Sequence, residues 1–81
     1  MPDPVPTRAA IQARVEAMIL GKFGRVEPEL HATGIVDSLG AMELLVLLQD
    51  EFRVRLGDVT VKDLSSVARI VSVIATAMAR P

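Results

Sequence analysis

A serine hydroxyl, a neighbouring carboxylate and the first turn of a helix are the parts of this chain best suited to chemistry. They meet at Asp37-Ser38-Leu39, where a polar loop containing Gly34 gives way to an apolar-periodic run from Leu39 to Phe52. Asp37 is placed to act as an N-cap, its carboxylate accepting the amide hydrogens of Leu39 or Gly40. Free amides and the helix dipole at that end favour negative charge, so a phosphodiester on Ser38 would be stabilised there. Asp-Ser is also an ordinary capping pair, and those residues alone favour that simpler role. The helix that follows changes the balance.

Other reactive types do not assemble. His31 is the only histidine. A Ser38-His31-carboxylate triad would need three groups to converge from a loop, and nearness in sequence does not provide that; a solvated loop histidine is the expectation. His31 with Glu27 or Glu29 has too few ligands for a metal, so neither a catalytic residue nor a metal site is expected. Gly21-Lys22-Phe23-Gly24 lacks the preceding glycine-rich run of a phosphate loop and reads as a helix C-cap. Arg53, Arg55, Lys62 and Arg69 are scattered charges of a solvated surface, with contact to an acidic partner as the alternative.

The elements that must position Ser38 follow from periodicity. Met1 to Pro6 holds three prolines in six residues and is expected to be a disordered or extended tail. Thr7 is a plausible N-cap for a first helix from Arg8 to about Leu20, buried through Ile11, Val15, Met18 and Ile19 and ended by Gly21 and Gly24. Residues 21–37 form a long loop, with Phe23, Val26, Leu30, Ile35 and Val36 as anchors. The second helix spans Ser38 to about Phe52, and a short helical turn lies near Thr60 to Leu64. Ser65 or Ser66 caps a last helix to about Met78, whose apolar face is Val67, Ile70, Val71, Ile74 and Met78. The prediction is an all-α fold: a small four-helix bundle with a short third helix and a long loop between helices one and two.

At about 100° per residue, Ala41, Leu45, Leu48 and Phe52 define the core face of the second helix, with Leu44 beside them. Glu43 and Asp50 fall opposite. Leu39, Val46 and Leu47 fall near those charges and Met42 at the flank, more apolar surface than a wet helix face normally carries. Leu39, Met42 and Val46 are therefore expected to form an exposed docking stripe, and Leu47 to be buried by a neighbour. Gly40 has two readings that sequence does not separate: room beside Ser38 for an attached group or a modifying enzyme, or simple tolerance of glycine in a first turn.

Composition narrows the function. The chain has 81 residues, 51% of them apolar, which supports one domain with a modest core. There is no cysteine, so disulfides and thiolate zinc sites are excluded. Net charge is −1 and Tyr and Trp are absent, which argues against nucleic-acid binding; the second helix carries no Lys or Arg before Arg53. The N-terminus lacks a signal-peptide pattern, and Ile70 to Ala79 is too short to span a bilayer. A soluble, cytoplasmic, monomeric protein is expected.

Gly34-Ile35-Val36-Asp37-Ser38-Leu39, then Glu43-Leu44, then Leu48-Gln49-Asp50-Glu51-Phe52, a loop, a short helix ending near Leu64, and Ser65-Ser66-Val67 opening the last helix resemble, in that order, the acyl and peptidyl carrier proteins. The resemblance covers about residues 8 to 79, implying a carrier domain over 7–79 after the tail. It implies a non-enzymatic protein with Ser38 as the covalent attachment site of 4′-phosphopantetheine from coenzyme A. It also implies Asp37 as a partner-contacting or metal-assisting residue during modification by a phosphopantetheinyl transferase. Leu39, Met42, Glu43, Val46 and, more loosely, Asp50 become partner-docking residues.

The implied chemistry is attack of the Ser38 hydroxyl on the pantetheinyl phosphate of coenzyme A. The arm's thiol then holds a substrate as a thioester, loaded by an acid- or amino-acid-loading ligase and delivered to a downstream acyltransferase or synthase. Among carriers, the pattern looks like stand-alone D-alanyl carriers and free-standing carriers of specialised polyketide or nonribosomal pathways. Val59-Thr60-Val61-Lys62-Asp63-Leu64 lacks the aromatic residues frequent in D-alanyl carriers, which places a specialised pathway first. The near-neutral charge ranks fatty-acid synthesis lower. The rivals outside the family are an unmodified helical adaptor and, more remotely, a DNA-binding helical domain.

Overall fold

A computed structural model describes residues 7–79. Three α-helices and one 3-10 helix make up the regular structure: α1 (Arg8–Phe23), α2 (Ser38–Phe52), the 3-10 helix (Val61–Leu64) and α3 (Val67–Ala79). Among the described residues there is no strand, only an isolated antiparallel bridge between Glu29 and Ser66. The fold is all-helical. The expected third helix is a single 3-10 turn, held by i to i+3 bonds from Asp63 N to Thr60 O (3.0 Å) and Ser65 N to Lys62 O (3.2 Å). Four residues are too few to nucleate an α-helix, so among the described residues three α-helices and this turn stand where the sequence predicts a four-helix bundle. The tail expected over Met1 to Pro6 lies outside the described residues.

Each helix start matches its cap chemistry. Thr7 Oγ1 accepts the Ala10 N–H at 3.1 Å, and Ser66, rather than Ser65, caps α3 by accepting the Arg69 N–H at 3.2 Å. The end of α1 differs from expectation. Gly21 lies inside the helix, which continues to Phe23 and stops where Gly24 adopts φ +83° and donates its N–H to Leu20 O. The reason is visible in the spacing: Ile11, Val15, Ile19 and Phe23 repeat every four residues, so the packed row runs through the glycine.

The core is formed by Ile11, Val15 and Ile19 of α1, Ala41, Leu44, Leu48 and Phe52 of α2, and Val67, Ile70, Val71 and Ile74 of α3, closed by Leu30, Val36, Leu56 and Leu64. Leu44 is fully buried and Leu45 only half-buried, so α2 is turned toward Leu44 relative to the face drawn from the sequence. Met18 and Met78, expected in the core, pack at its edge. No helix among the described residues is long and apolar enough to cross a membrane.

Segment 24–37 connects α1 to α2 without regular structure but is tied down. Leu30 N donates to Ser65 O at 2.8 Å, Val67 N to Pro28 O at 2.9 Å, and Val36 N to Leu30 O at 3.1 Å. Its anchors Leu30 and Val36 are buried, while Phe23, Val26 and Ile35 are half-buried. This path delivers Asp37 in an extended conformation (φ −91°, ψ −176°) to the start of α2.

Candidate functional site

Ser38 is the first residue of α2 and is exposed. Asp37 caps the helix: its Oδ1 accepts the Gly40 N–H at 2.7 Å, and its backbone carbonyl accepts the Ala41 N–H at 2.8 Å. Of the two amides considered from sequence, Gly40 is the one engaged. The Ser38 hydroxyl makes no hydrogen bond with the described residues, whereas those of Ser66 and Ser72 accept from the Arg69 N–H and the Arg8 guanidinium. The site is therefore an exposed primary alcohol at the positive end of a capped helix, which suits a covalently attached phosphodiester.

Gly40 resolves its two readings in an unforeseen way. It is buried, and a Cβ there would lie 3.1 Å from Asp37 Oδ1 and 3.1 Å from Phe23 Cε1. The missing side chain makes room for the cap and the Phe23 ring, not for an arm. Phe23 comes with Lys22, whose Nζ pairs with Glu43 Oε2 at 2.9 Å. Both were missed at this site because α1 was expected to stop before them; the four-residue spacing from Ile19 was the available signal.

The outer face of α2 carries Leu39, Met42 and Val46 at 68%, 63% and 63% exposure. Met42 also lines a shallow cleft of about 240 Å³ with Leu45, Val59 and Leu64. Glu43 is exposed but paired, and Asp50 lies beside Val46 and Leu47. Leu47 corrects an expectation: it is 40% exposed rather than buried. Glu43, Leu47 and Glu51 form one i, i+4 row. Both ends of that row pair with α1, Glu43 with Lys22 and Glu51 with Arg14. The row thus marks the polar rim of the α1–α2 contact, and the leucine between the two pairs stays partly exposed.

His31 sits in a turn; its carbonyl accepts the Gly34 N–H at 3.1 Å, and its side chain does not hydrogen-bond to Ser38. Among the described residues no three His, Asp or Glu groups are arranged to hold a metal. A family model described as phosphopantetheine attachment site matches residues 17–74. No curated protein and no solved structure matches the chain. The match spans more than half of the sequence and takes in the whole of α2, the 3-10 turn and most of α3, and the chain therefore belongs to the phosphopantetheine-attachment family, non-catalytic carrier domains that bear a covalent 4′-phosphopantetheine.

Proposed function

We propose that Ser38 carries the phosphopantetheine and that residues 7–79 act as a carrier of acyl or aminoacyl groups. The observation that carries this reading is the Ser38 hydroxyl, exposed and unpartnered at the Asp37-capped start of α2. The chain has four serines. Ser66 is committed to capping α3, Ser72 accepts a hydrogen bond from Arg8, and Ser65 is half-buried. In the transferase, Ser38 Oγ forms a bond to the pantetheine-bearing phosphorus of coenzyme A as the bond to the 3′,5′-ADP leaving group breaks. The hydroxyl proton passes to a base of the transferase. When bound, the group supplies a thiol for thioester chemistry, which a chain without cysteine lacks.

Asp37 holds the first turn of α2 and leaves its second carboxylate oxygen for contact with the transferase. Leu39, Met42, Glu43, Val46 and Asp50 form the docking face for the transferase, the loading ligase and a downstream acyltransferase or synthase. Tethering the thioester raises its effective concentration at each docked enzyme. A net charge of −1 fits partners recognised through apolar contact and ranks fatty-acid synthesis lower, while the lack of aromatic residues in Val59-Thr60-Val61-Lys62-Asp63-Leu64 supports a specialised polyketide, nonribosomal or related pathway over D-alanyl loading of cell-wall polymers. The setting in this reading is cytoplasmic and the carrier monomeric, since its docking face must serve several enzymes in turn.

An unmodified adaptor would expose the same apolar stripe, so Ser38→Ala separates the two. The variant is expected to stay folded by circular dichroism and to lose all pathway turnover. Full turnover with Ser38→Ala would overturn the carrier reading.

A further inference from the structure

The last turn of α1 meets the first turn of α2 at one point beside Ser38. The Phe23 ring and the Asp37 carboxylate converge on Gly40 from different sides, each 3.1 Å from where a Cβ would stand. Gly40 is buried although it lies only two residues into the helix. Its N–H donates the cap bond to Asp37 Oδ1 at 2.7 Å. The burial of Gly40, with the Phe23 ring close against it, limits water's access to this bond, and a hydrogen bond in a drier setting is stronger. The ring is itself held: Gly24 caps α1 immediately after it, and the preceding Lys22 pairs with Glu43 and lies 5.7 Å from the ring centroid. The Ser38 hydroxyl makes no hydrogen bond with the described residues and helix ends fray, so its bearing depends on the Asp37 cap.

We propose that Phe23 is a positioning residue for Ser38: its ring, resting on Gly40, fixes the Asp37 cap and thereby the bearing of the Ser38 hydroxyl toward a modifying enzyme. The proposal rests on Ser38 being the attachment site. Gly40 is the necessary counterpart, since a methyl group there must displace the ring, the carboxylate or both by a few tenths of an ångström. Small misplacements of a reacting group cost rate steeply, so a loss on the order of tenfold in modification is the scale to expect.

The test uses the full chain as wild type, Gly40→Ala, Phe23→Leu and the double variant, each confirmed folded by circular dichroism. Two quantities are read: kcat/KM for modification with coenzyme A and a broad-specificity phosphopantetheinyl transferase, and hydrogen exchange of the residue-40 amide. Gly40→Ala is expected to lose about tenfold in kcat/KM and to exchange faster at residue 40. Phe23→Leu alone is expected to shift both in the same direction, and the double variant to be little worse than either single one, because both substitutions disturb the same contact of the ring with residue 40. A folded Phe23→Leu variant that is modified at the wild-type rate, with unchanged exchange at residue 40, would show that the ring does not hold the cap and would overturn the proposal. So would unchanged exchange at residue 40 in Gly40→Ala. A wild-type chain that takes no group at Ser38 would instead overturn the attachment reading; exchange, which needs no transferase, would still decide whether Phe23 holds the cap.

Discussion

Gly21 and Gly40 are both helical glycines, and their surroundings give them opposite roles. Among the described residues, nothing beyond its chain neighbours and its own helix backbone lies within 4 Å of a Cβ on Gly21, whereas Gly40 is closed in by Phe23 and Asp37. Glycine in an exposed helix interior costs about 0.8–1 kcal/mol relative to alanine. Gly21→Ala should therefore raise stability by roughly 0.5–1 kcal/mol in urea unfolding, while Gly40→Ala should gain less than that or lose stability. Equal gains at both positions would contradict the close packing at Gly40. Ser38 and Asp37 were legible as a pair because cap chemistry is local and a helix start announces itself in residue types. The partner of Gly40 was not, because it comes from a helix whose end was drawn at Gly21. A glycine weakens a helix by about 1 kcal/mol, and a packed aromatic two residues further on outweighs it.

Between the helices, the connections do more than link. Segment 24–37 is irregular, yet Leu30 is fully buried and its backbone is bonded to the start of α3. Leu30→Ala should cost about 2–5 kcal/mol, as in a helix core; a loss below 1 kcal/mol by urea unfolding would mean the segment is only draped on the surface. The 3-10 turn depends on Asp63, whose Oδ2 accepts the Thr60 backbone N–H at 2.9 Å and its hydroxyl at 3.1 Å. The backbone bond from Thr60 first, then its hydroxyl and the nearby Arg69, lower the Asp63 pKa below its ordinary 3.8. A carboxylate depressed on folding contributes stability above its unfolded pKa and loses it as pH falls through the folded value. The melting-temperature difference between wild type and Asp63→Asn should thus be present above about pH 4 and shrink in more acidic solution. A difference that stays constant or grows on acidification would contradict the ionised cap. The turn was readable from its Thr-to-Asp spacing, but its 3-10 rather than α character was not, since that depends on how much chain remains before Ser66 opens α3.

On the scale of the whole molecule, one helix presents two faces. Leu44 and Leu48 are fully buried on one side, and Leu39, Met42 and Val46 are exposed on the other. The periodicity of α2 was enough to find the exposed stripe, because an apolar residue opposite the core must either meet a neighbour or meet solvent. It was not enough to place Leu47, whose fate depends on Arg14 and Lys22, residues of another helix that pair with the acids on either side of it. With a net charge of −1 and Glu43 already paired, long-range attraction contributes little to partner choice. On the proposed reading, recognition falls to the apolar stripe and to whatever is attached at the Ser38 end of α2. That attachment is the central claim, and intact-mass measurement tests it most directly: the purified chain and its Ser38→Ala variant, each before and after incubation with coenzyme A and a broad-specificity phosphopantetheinyl transferase. The expected result is a gain of one phosphopantetheinyl group on the wild type, located on the peptide that contains Ser38, and none on the variant. A gain that persists in Ser38→Ala, or a folded wild type that takes up no group from this or a second transferase, would contradict it.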